Sequence, residues 1–283
     1  MGKISGLTLS EALNKASLFL RNHGYDGALA RTYWLMTFDR TLTDLVMALR
    51  QPITEDDYVT LFAVLERIVK DEPIQYILGY ADFMDRRFKV NQSTLIPRED
   101  TAGVIELVLP FLTDNPQAKI LDIGTGTGIL AVTMSLEFPQ ATVYASDISE
   151  EALKLAKYNA DRYGANIHFI ESDVFDDINE RQFDLIVSNP PYIGEDELDL
   201  MDASVKKFEP HMALFAEDQG LAIYKKIAEQ IPEYINDQGM IVLEIGYQQG
   251  QKVSQLFKEK FARADIKVIQ DFNQKDRYVQ IIR

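Results

Sequence analysis

From Ala118 onward, short apolar runs alternate with amphipathic stretches, and this alternation constrains the fold more than any other property of the chain. The runs are Lys119–Ile123, Thr142–Ser146, Ile167–Glu171, Phe183–Val187, Met240–Ile245, Ala264–Gln270 and Tyr278–Ile282. Between them, Ser149–Tyr163, Leu221–Ile235 and Gln249–Phe261 carry helical spacing. Strands separated by helices in this way form a parallel or mixed sheet with helices on both faces. The interval 194–219 is long for a connection in a compact domain, so it is expected to be functional or partly helical.

The first 75 or so residues have a different period. Thr8-Leu9-Ser10-Glu11 has capping-box spacing, and Leu9, Ala12, Leu13, Ala16 and Leu20 follow on one helical face, with Gly24 as a stop. Further helices are expected at 27–38 and 43–49. A fourth opens at Thr54, with Tyr58, Leu61, Phe62, Leu65, Ile68 and Val69 on its apolar face. Trp34 and the other aromatic residues here read as core. From Ile77 to Ile96 the pattern turns extended, with Asp85-Arg86-Arg87 as a charged turn, and a helix follows through Leu109. A chain of 283 residues suits such a small domain joined to a larger one.

Composition narrows the function classes. No apolar run approaches the roughly 20 residues that cross a bilayer, and Met1–Ser10 lacks the basic and apolar segments of a secretory signal. The absence of cysteine removes disulfides, thiolate metal sites and a cysteine nucleophile, and it fits the cytoplasm. Formal charge is −15, and no run of consecutive Lys or Arg exceeds two residues. Nucleic-acid binding draws on basic groups that neutralise phosphates, so DNA is disfavoured against a small molecule or a protein with a basic surface. His23, His168 and His211 are scattered, without a second ligand at metal spacing, so no metal is expected.

Two motifs carry chemistry. Leu121-Asp122-Ile123-Gly124-Thr125-Gly126-Thr127-Gly128 joins a strand to a helix, where glycines let a ligand approach the backbone and the helix N-terminus offers N–H groups. Ile129 stands where the dinucleotide pattern needs Gly or Ala, so that pattern fails. The loop instead resembles the cofactor loop of Rossmann-like S-adenosylmethionine-dependent methyltransferases. Asp147 ends the next strand, where a carboxylate can accept from both ribose hydroxyls; it can also serve the start of the helix after it. Asp173-Val174 ends the third strand, where that resemblance implies the adenine ring, although an acid opening a loop is also commonplace.

The second motif, Asn189-Pro190-Pro191-Tyr192, follows Phe183–Val187 directly. Two prolines fix φ and push the residues before them to extended geometry, which makes a stiff elbow. The Asn189 amide oxygen and the Pro190 carbonyl can each accept one proton of an NH2 group, and Tyr192 can stack on a planar target. Such a grip favours the pyramidal nitrogen that an amide needs only in the transition state. Asn189, Pro190 and Tyr192 are therefore the candidate catalytic residues, with Pro191 joining them against substrate. Gly124, Thr125, Gly126, Thr127, Gly128, Asp147, Asp173, Val174 and Asn189 are the candidate cofactor residues.

Beyond these motifs, the chain resembles the PrmC/HemK family of release-factor glutamine N5-methyltransferases along essentially its whole length. The match runs through Glu72-Pro73-Ile74-Gln75-Tyr76-Ile77-Leu78-Gly79, Leu95-Ile96-Pro97-Arg98, Glu209-Pro210, Ala213-Leu214-Phe215 and Glu244-Ile245-Gly246-Tyr247-Gln248-Gln249-Gly250. The resemblance implies an α/β Rossmann-like methyltransferase domain with a seven-stranded mixed sheet (residues 99–283). It would follow a helical substrate-recognition domain (1–76) and a β-hairpin connector (77–98). It implies S-adenosyl-L-methionine as donor, leaving S-adenosyl-L-homocysteine, and as substrate the glutamine of the Gly-Gly-Gln loop of bacterial peptide chain release factors. The chain departs from the family where Glu99-Asp100-Thr101-Ala102 replaces Pro-Glu-Thr-Glu, and where Phe272–Arg277 replaces a Gly-Arg-rich turn. Arg98 can face substrate or cofactor, or pair with a nearby acid. Two rival readings share parts of this pattern: a DNA or RNA adenine-N6 methyltransferase, and a non-catalytic cofactor-binding or scaffold protein.

Overall fold

The computed structural model describes residues 6–283, without the side chains of 199 and 200. Half of the N-terminal segment read above for a secretory signal, residues 1–5, lies outside the described residues. Contacts divide the described chain into two compact units, 6–79 with 203–208, and 80–202 with 209–283.

The first unit is helical: α1 (Leu9–Asn22), α2 (Leu29–Phe38), α3 (Leu42–Ala48), α4 (Glu55–Ile68) and α5 (Ile74–Leu78). Thr8, Thr41 and Thr54 each accept a backbone N–H at the starts of α1, α3 and α4. Glu11 and Asp44 close the first two as capping boxes. Each cap satisfies donors that have no partner inside the helix. The five positions expected on the inner face of α1 are all buried, and Trp34 joins Leu13, Leu20, Leu61 and Leu65 in the core. On α4, Val64 takes an inward place that was not foreseen. Ile77 and Leu78 do not begin the extended region: α5 covers them and stops at Gly79, whose φ of 77° favours a residue without a side chain.

The second unit opens with a hairpin, β1 (Tyr80–Phe83) and β2 (Arg86–Lys89). Its turn is Met84-Asp85 and not the charged triplet; both have left-handed φ (45° and 60°), so Arg86 and Arg87 belong to β2. A two-residue turn of this type matches the twist of paired strands. Helix α6 (Ala102–Asp114) runs past the expected end at Leu109, through Pro110. Val104, Ile105, Val108 and Leu112 keep one buried face across the proline, which sits on the exposed side where water can solvate the freed carbonyl.

The sheet then builds from β3 (Lys119–Ile123), α7 (Ile129–Glu137), β4 (Thr142–Asp147), α8 (Glu150–Tyr163), β5 (Ile167–Glu171) and β6 (Phe183–Ser188). The interval 194–219 contains α9 (Ala203–Phe208), which groups with the first unit, and a short kinked turn, α10 (Glu217–Gly220). The chain ends with α11 (Ala222–Gln230), β7 (Ile235–Glu244), α12 (Gly250–Lys260), β8 (Asp265–Gln270) and β9 (Asp276–Ile282). Two expected limits move by five residues. The helix predicted to reach Ile235 stops at Gln230, where a 3-10 turn containing Pro232 intervenes. Strand β7 starts at Ile235 and not at Met240, because Phe183 pairs with Ile235 while Leu185 pairs with Met240. Residues 236–239 bulge out between those two pairs.

Strand order is β5-β4-β3-β6-β7-β9-β8, with β9 antiparallel to both its neighbours and the other pairs parallel. This is a seven-stranded mixed sheet of Rossmann-like type. From β3 the chain winds outward to β4 and β5, then returns to β6 on the other side. The β3/β6 pair is therefore the topological switch point, where open α/β sheets bind ligands beyond the carboxyl ends of their strands.

Candidate active site

Register at the switch point sets the site. Ile123 pairs with Ser146 on one side and with Ser188 on the other, and Ser188 pairs with Leu243. The residues that follow (Gly124, Asp147, Asn189 and Glu244) therefore leave four adjacent strands at one level. The Ser188 hydroxyl donates to the Ile123 carbonyl at 2.7 Å and ties the two central strands where they end.

The glycine loop fits a ligand that lies against its backbone. Gly124 and Gly126 have φ of 69° and 55°, and a Cβ added to either would meet nothing within 4 Å. Gly128 serves packing instead, since its Cβ would come within 3.1 Å of the Ala156 methyl group. The two threonine side chains are buried supports. Thr125 donates its hydroxyl to Asp122 at 2.6 Å and its N–H to the Ser146 carbonyl, so what these residues can offer a ligand is backbone. Asp122 is itself enclosed, and burial pushes its carboxyl up to about 7.

Asp147 is held by both ends of its surroundings. One oxygen accepts from Gly126 N and the other from Ser149 N, each at 2.9 Å. The helix cap itself is Ser149, which accepts from Ala152 N. Burial raises the Asp147 carboxyl above its ordinary value, against those backbone donors. Lone pairs remain on each oxygen for diol hydroxyls. Asp173 sits apart from this group in character: it is exposed and paired with Lys226 at 2.8 Å. Val174 next to it is buried with φ of 58°. A β-branched residue rarely adopts that geometry, and such strain persists where the surroundings impose it.

At the elbow, Pro190 is buried while Asn189, Pro191 and Tyr192 are half-buried. Asn189 Nδ2 donates to the Thr101 hydroxyl at 3.2 Å. The Tyr192 ring packs against the core beneath the sheet's carboxyl end, and burial pushes its phenol up to about 12, so it stays neutral. Its carbonyl accepts from Gln249 Nε2 at 2.8 Å, and Gln249 Oε1 accepts from Gly246 N. Beyond the elbow, Ile193 exchanges backbone hydrogen bonds with Leu214 and Ala216. Arg98 pairs with the buried Glu209 at 2.5 Å, and Glu209 also accepts from Ile96 N at 3.2 Å. Of the alternatives open for Arg98, the acid partner is the one realised.

Three residues here were given no role from the sequence: Thr101, Glu244 and Gln249. Glu244 had a signal, a lone acid ending an apolar strand. It is 1% exposed, and burial pushes its carboxyl up to about 7. Among the described residues no group of three or more His, Asp or Glu could hold a metal ion, and no helix is long and apolar enough to cross a membrane.

Comparison with known proteins identifies the family. Residues 100–211 match the methyltransferase small domain, and residues 11–79 match the PrmC N-terminal domain. A release factor glutamine methyltransferase of Lactococcus lactis subsp. lactis is 48% identical over 82% of this chain and 86% of its own length. One from Staphylococcus aureus is 38% identical over 95% of this chain and 97% of its own. A methyltransferase of Pyrococcus furiosus shares the fold, with a TM-score of 0.52 at 17% identity, covering 77% of this chain and 96% of that one. With a glycine cradle and an amide-bearing elbow at one switch point, and relatives that match it nearly end to end, this chain is a methyltransferase using S-adenosylmethionine and belongs to the release factor glutamine methyltransferase family.

Proposed function

We propose that this enzyme methylates the side-chain amide nitrogen of the glutamine in the Gly-Gly-Gln loop of bacterial release factors, in the cytoplasm, with Asn189, Pro190 and Tyr192 as its catalytic residues. The observation that carries the proposal is the pairing of Ile123 with Ser188, which starts the glycine loop and the elbow side by side.

When bound, the donor supplies a methyl group on a positively charged sulfur. Gly124, Gly126 and the loop backbone would lie along it, with Asp147 accepting from its ribose. Asp173 and Val174 would border its base. On the acceptor side, Asn189 Oδ1 and the Pro190 carbonyl would each take one amide hydrogen. Amide nitrogen is a weak nucleophile because its lone pair is delocalised. Two acceptors aimed at the hydrogens stabilise the pyramidal form, and positioning supplies much of the remainder. Pro190 and Pro191 have no N–H, so nothing on that stretch competes as a donor. Tyr192, kept neutral by burial, offers a ring face to the planar amide, and Gln249 holds its backbone in place.

The test is incubation with labelled S-adenosylmethionine and a bacterial release factor, followed by peptide mapping. Label is expected on the Gly-Gly-Gln glutamine. Label on DNA and none on that peptide contradicts the assignment. Asn189→Ala is expected to lower turnover by roughly a hundredfold or more, the scale for loss of one preorganised polar group, while donor affinity stays close to normal.

A further inference from the structure

We propose that Gln249 is a positioning residue that sets the Tyr192 ring for the substrate amide, one end of its own amide holding the Tyr192 carbonyl and the other holding Gly246 beside that ring. The inference rests on the role assigned to Tyr192 above.

Gln249 stands at the start of α12, yet its side chain makes no bond that caps the helix. It turns back into the protein, where the residue is 7% exposed. Burying a carboxamide is costly unless its hydrogen bonds are met. Nε2 carries two protons, and two carbonyls take them, Tyr192 at 2.8 Å and Gln219 at 3.3 Å. Oε1 accepts from Gly246 N at 2.9 Å. All three partners are backbone groups of fixed polarity. Turning the amide over would set its oxygen against two carbonyls and its NH2 against an N–H, so only one orientation is satisfied.

That orientation encloses Tyr192. Nε2 holds its carbonyl, and a Cβ on Gly246 would come within 3.4 Å of Tyr192 Cδ2, which places Gly246 along the ring. One amide therefore fixes both the backbone that carries the ring and the glycine beside it. Just beyond, Ile193 N donates to the Leu214 carbonyl and the Ile193 carbonyl accepts from Ala216 N, each at 3.0 Å. Those two bonds involve backbone alone. Of these three groups at the exit of the elbow, only the Tyr192 carbonyl is held by a side chain.

The third partner, Gln219, belongs to a strained turn. Asp218 and Gln219 have φ of 58° and 56°, and Gly220 follows at 78°. Residues with side chains rarely take this left-handed backbone, and it persists where the surroundings impose it. Gly220 lies so close to the Tyr192 carbonyl that a Cβ there would collide with it. Gln249 holds the Gln219 carbonyl, and Lys252 donates to Gln219 Oε1 at 3.0 Å. The start of α12 thus pins the turn against the elbow.

The experiment is steady-state methylation of a release factor by Gln249→Ala, Gln249→Glu, Tyr192→Ala and the double variant of Gln249→Ala with Tyr192→Ala, with donor affinity measured by calorimetry. Gln249→Glu keeps the shape and the acceptor for Gly246 but removes both donors, so a side chain that merely filled space would tolerate it. Gln249→Ala and Gln249→Glu are each expected to lower kcat roughly tenfold to a hundredfold, the scale for a misplaced reacting group, with donor Kd and release-factor KM within about threefold of wild type. The double variant is expected to be no slower than Tyr192→Ala. A kcat for Gln249→Glu within about twofold of wild type, a rise in KM or donor Kd that matches the fall in kcat, or a full further loss in the Tyr192→Ala background each overturns the proposal. A fully active Tyr192→Ala overturns the role of Tyr192 itself, which separates the two failures.

Discussion

A methyl group added at Gly220 would lie 1.9 Å from the Tyr192 carbonyl oxygen, on a backbone with φ of 78°. Left-handed geometry alone costs an ordinary residue roughly 1–2 kcal/mol, and the collision must displace the elbow as well. Gly220→Ala is therefore expected to lower both stability and turnover. Gly24→Ala, with φ of 85° but open space around it, loses only the backbone part. Equal denaturation midpoints for the two variants would contradict this account. The buried acids make a second prediction at this scale. Asp122 and Glu244 release their protons near 7 when folded, against ordinary values of 3.8 and 4.5. Between those values the folded chain holds more protons than the unfolded one, so stability from these groups is complete at low pH and lost as pH rises through 7. Asp122→Asn keeps an acceptor for Thr125 and removes the titration. Its melting temperature is expected to gain on wild type more at pH 8 than at pH 5; an equal gain at both would contradict the linkage.

Among the elements, the hairpin shows how a secondary feature is tied to the site. Phe83 and Phe88 pack into the same core as α6 and β3. Asn159 on α8 is fully buried; it accepts from Lys89 N and donates to the carbonyls of Lys89 and Thr127. One side chain thus joins β2 to the glycine loop. Asn159→Ala would leave the buried Thr127 carbonyl without this partner, at roughly 1–3 kcal/mol, and the half-buried Lys89 groups at less. A loss of several kcal/mol in chemical denaturation is expected, with weakened donor binding; a change below about 1 kcal/mol would contradict it. Elements were legible where one period dominated. The inner face of α1 and the ranges of β3 and β5 were readable because burial follows spacing directly. Limits failed where tertiary contacts outweighed local signals: Pro110 stays helical because the buried face of α6 continues beyond it, and β7 begins early because Phe183 offers Ile235 a partner.

For the whole molecule, a formal charge of −15 means that surface acids repel one another in the compact state. Raising salt from about 10 to 150 mM shortens the screening length from about 30 to 8 Å, so the melting temperature is expected to rise; no change or a fall would show that paired charges prevail. The sequence by itself determined the alternating α/β plan, the glycine turn and the proline elbow, because periodicity, missing side chains and missing N–H groups act locally. Only the tertiary structure decided that the Gly124 loop and Asn189 start from paired neighbours, that Arg98 is neutralised by Glu209, and that the Asn189 amide meets the Thr101 hydroxyl. Those facts depend on strand order and register between segments far apart in the chain, and no local preference encodes which amide will meet which hydroxyl.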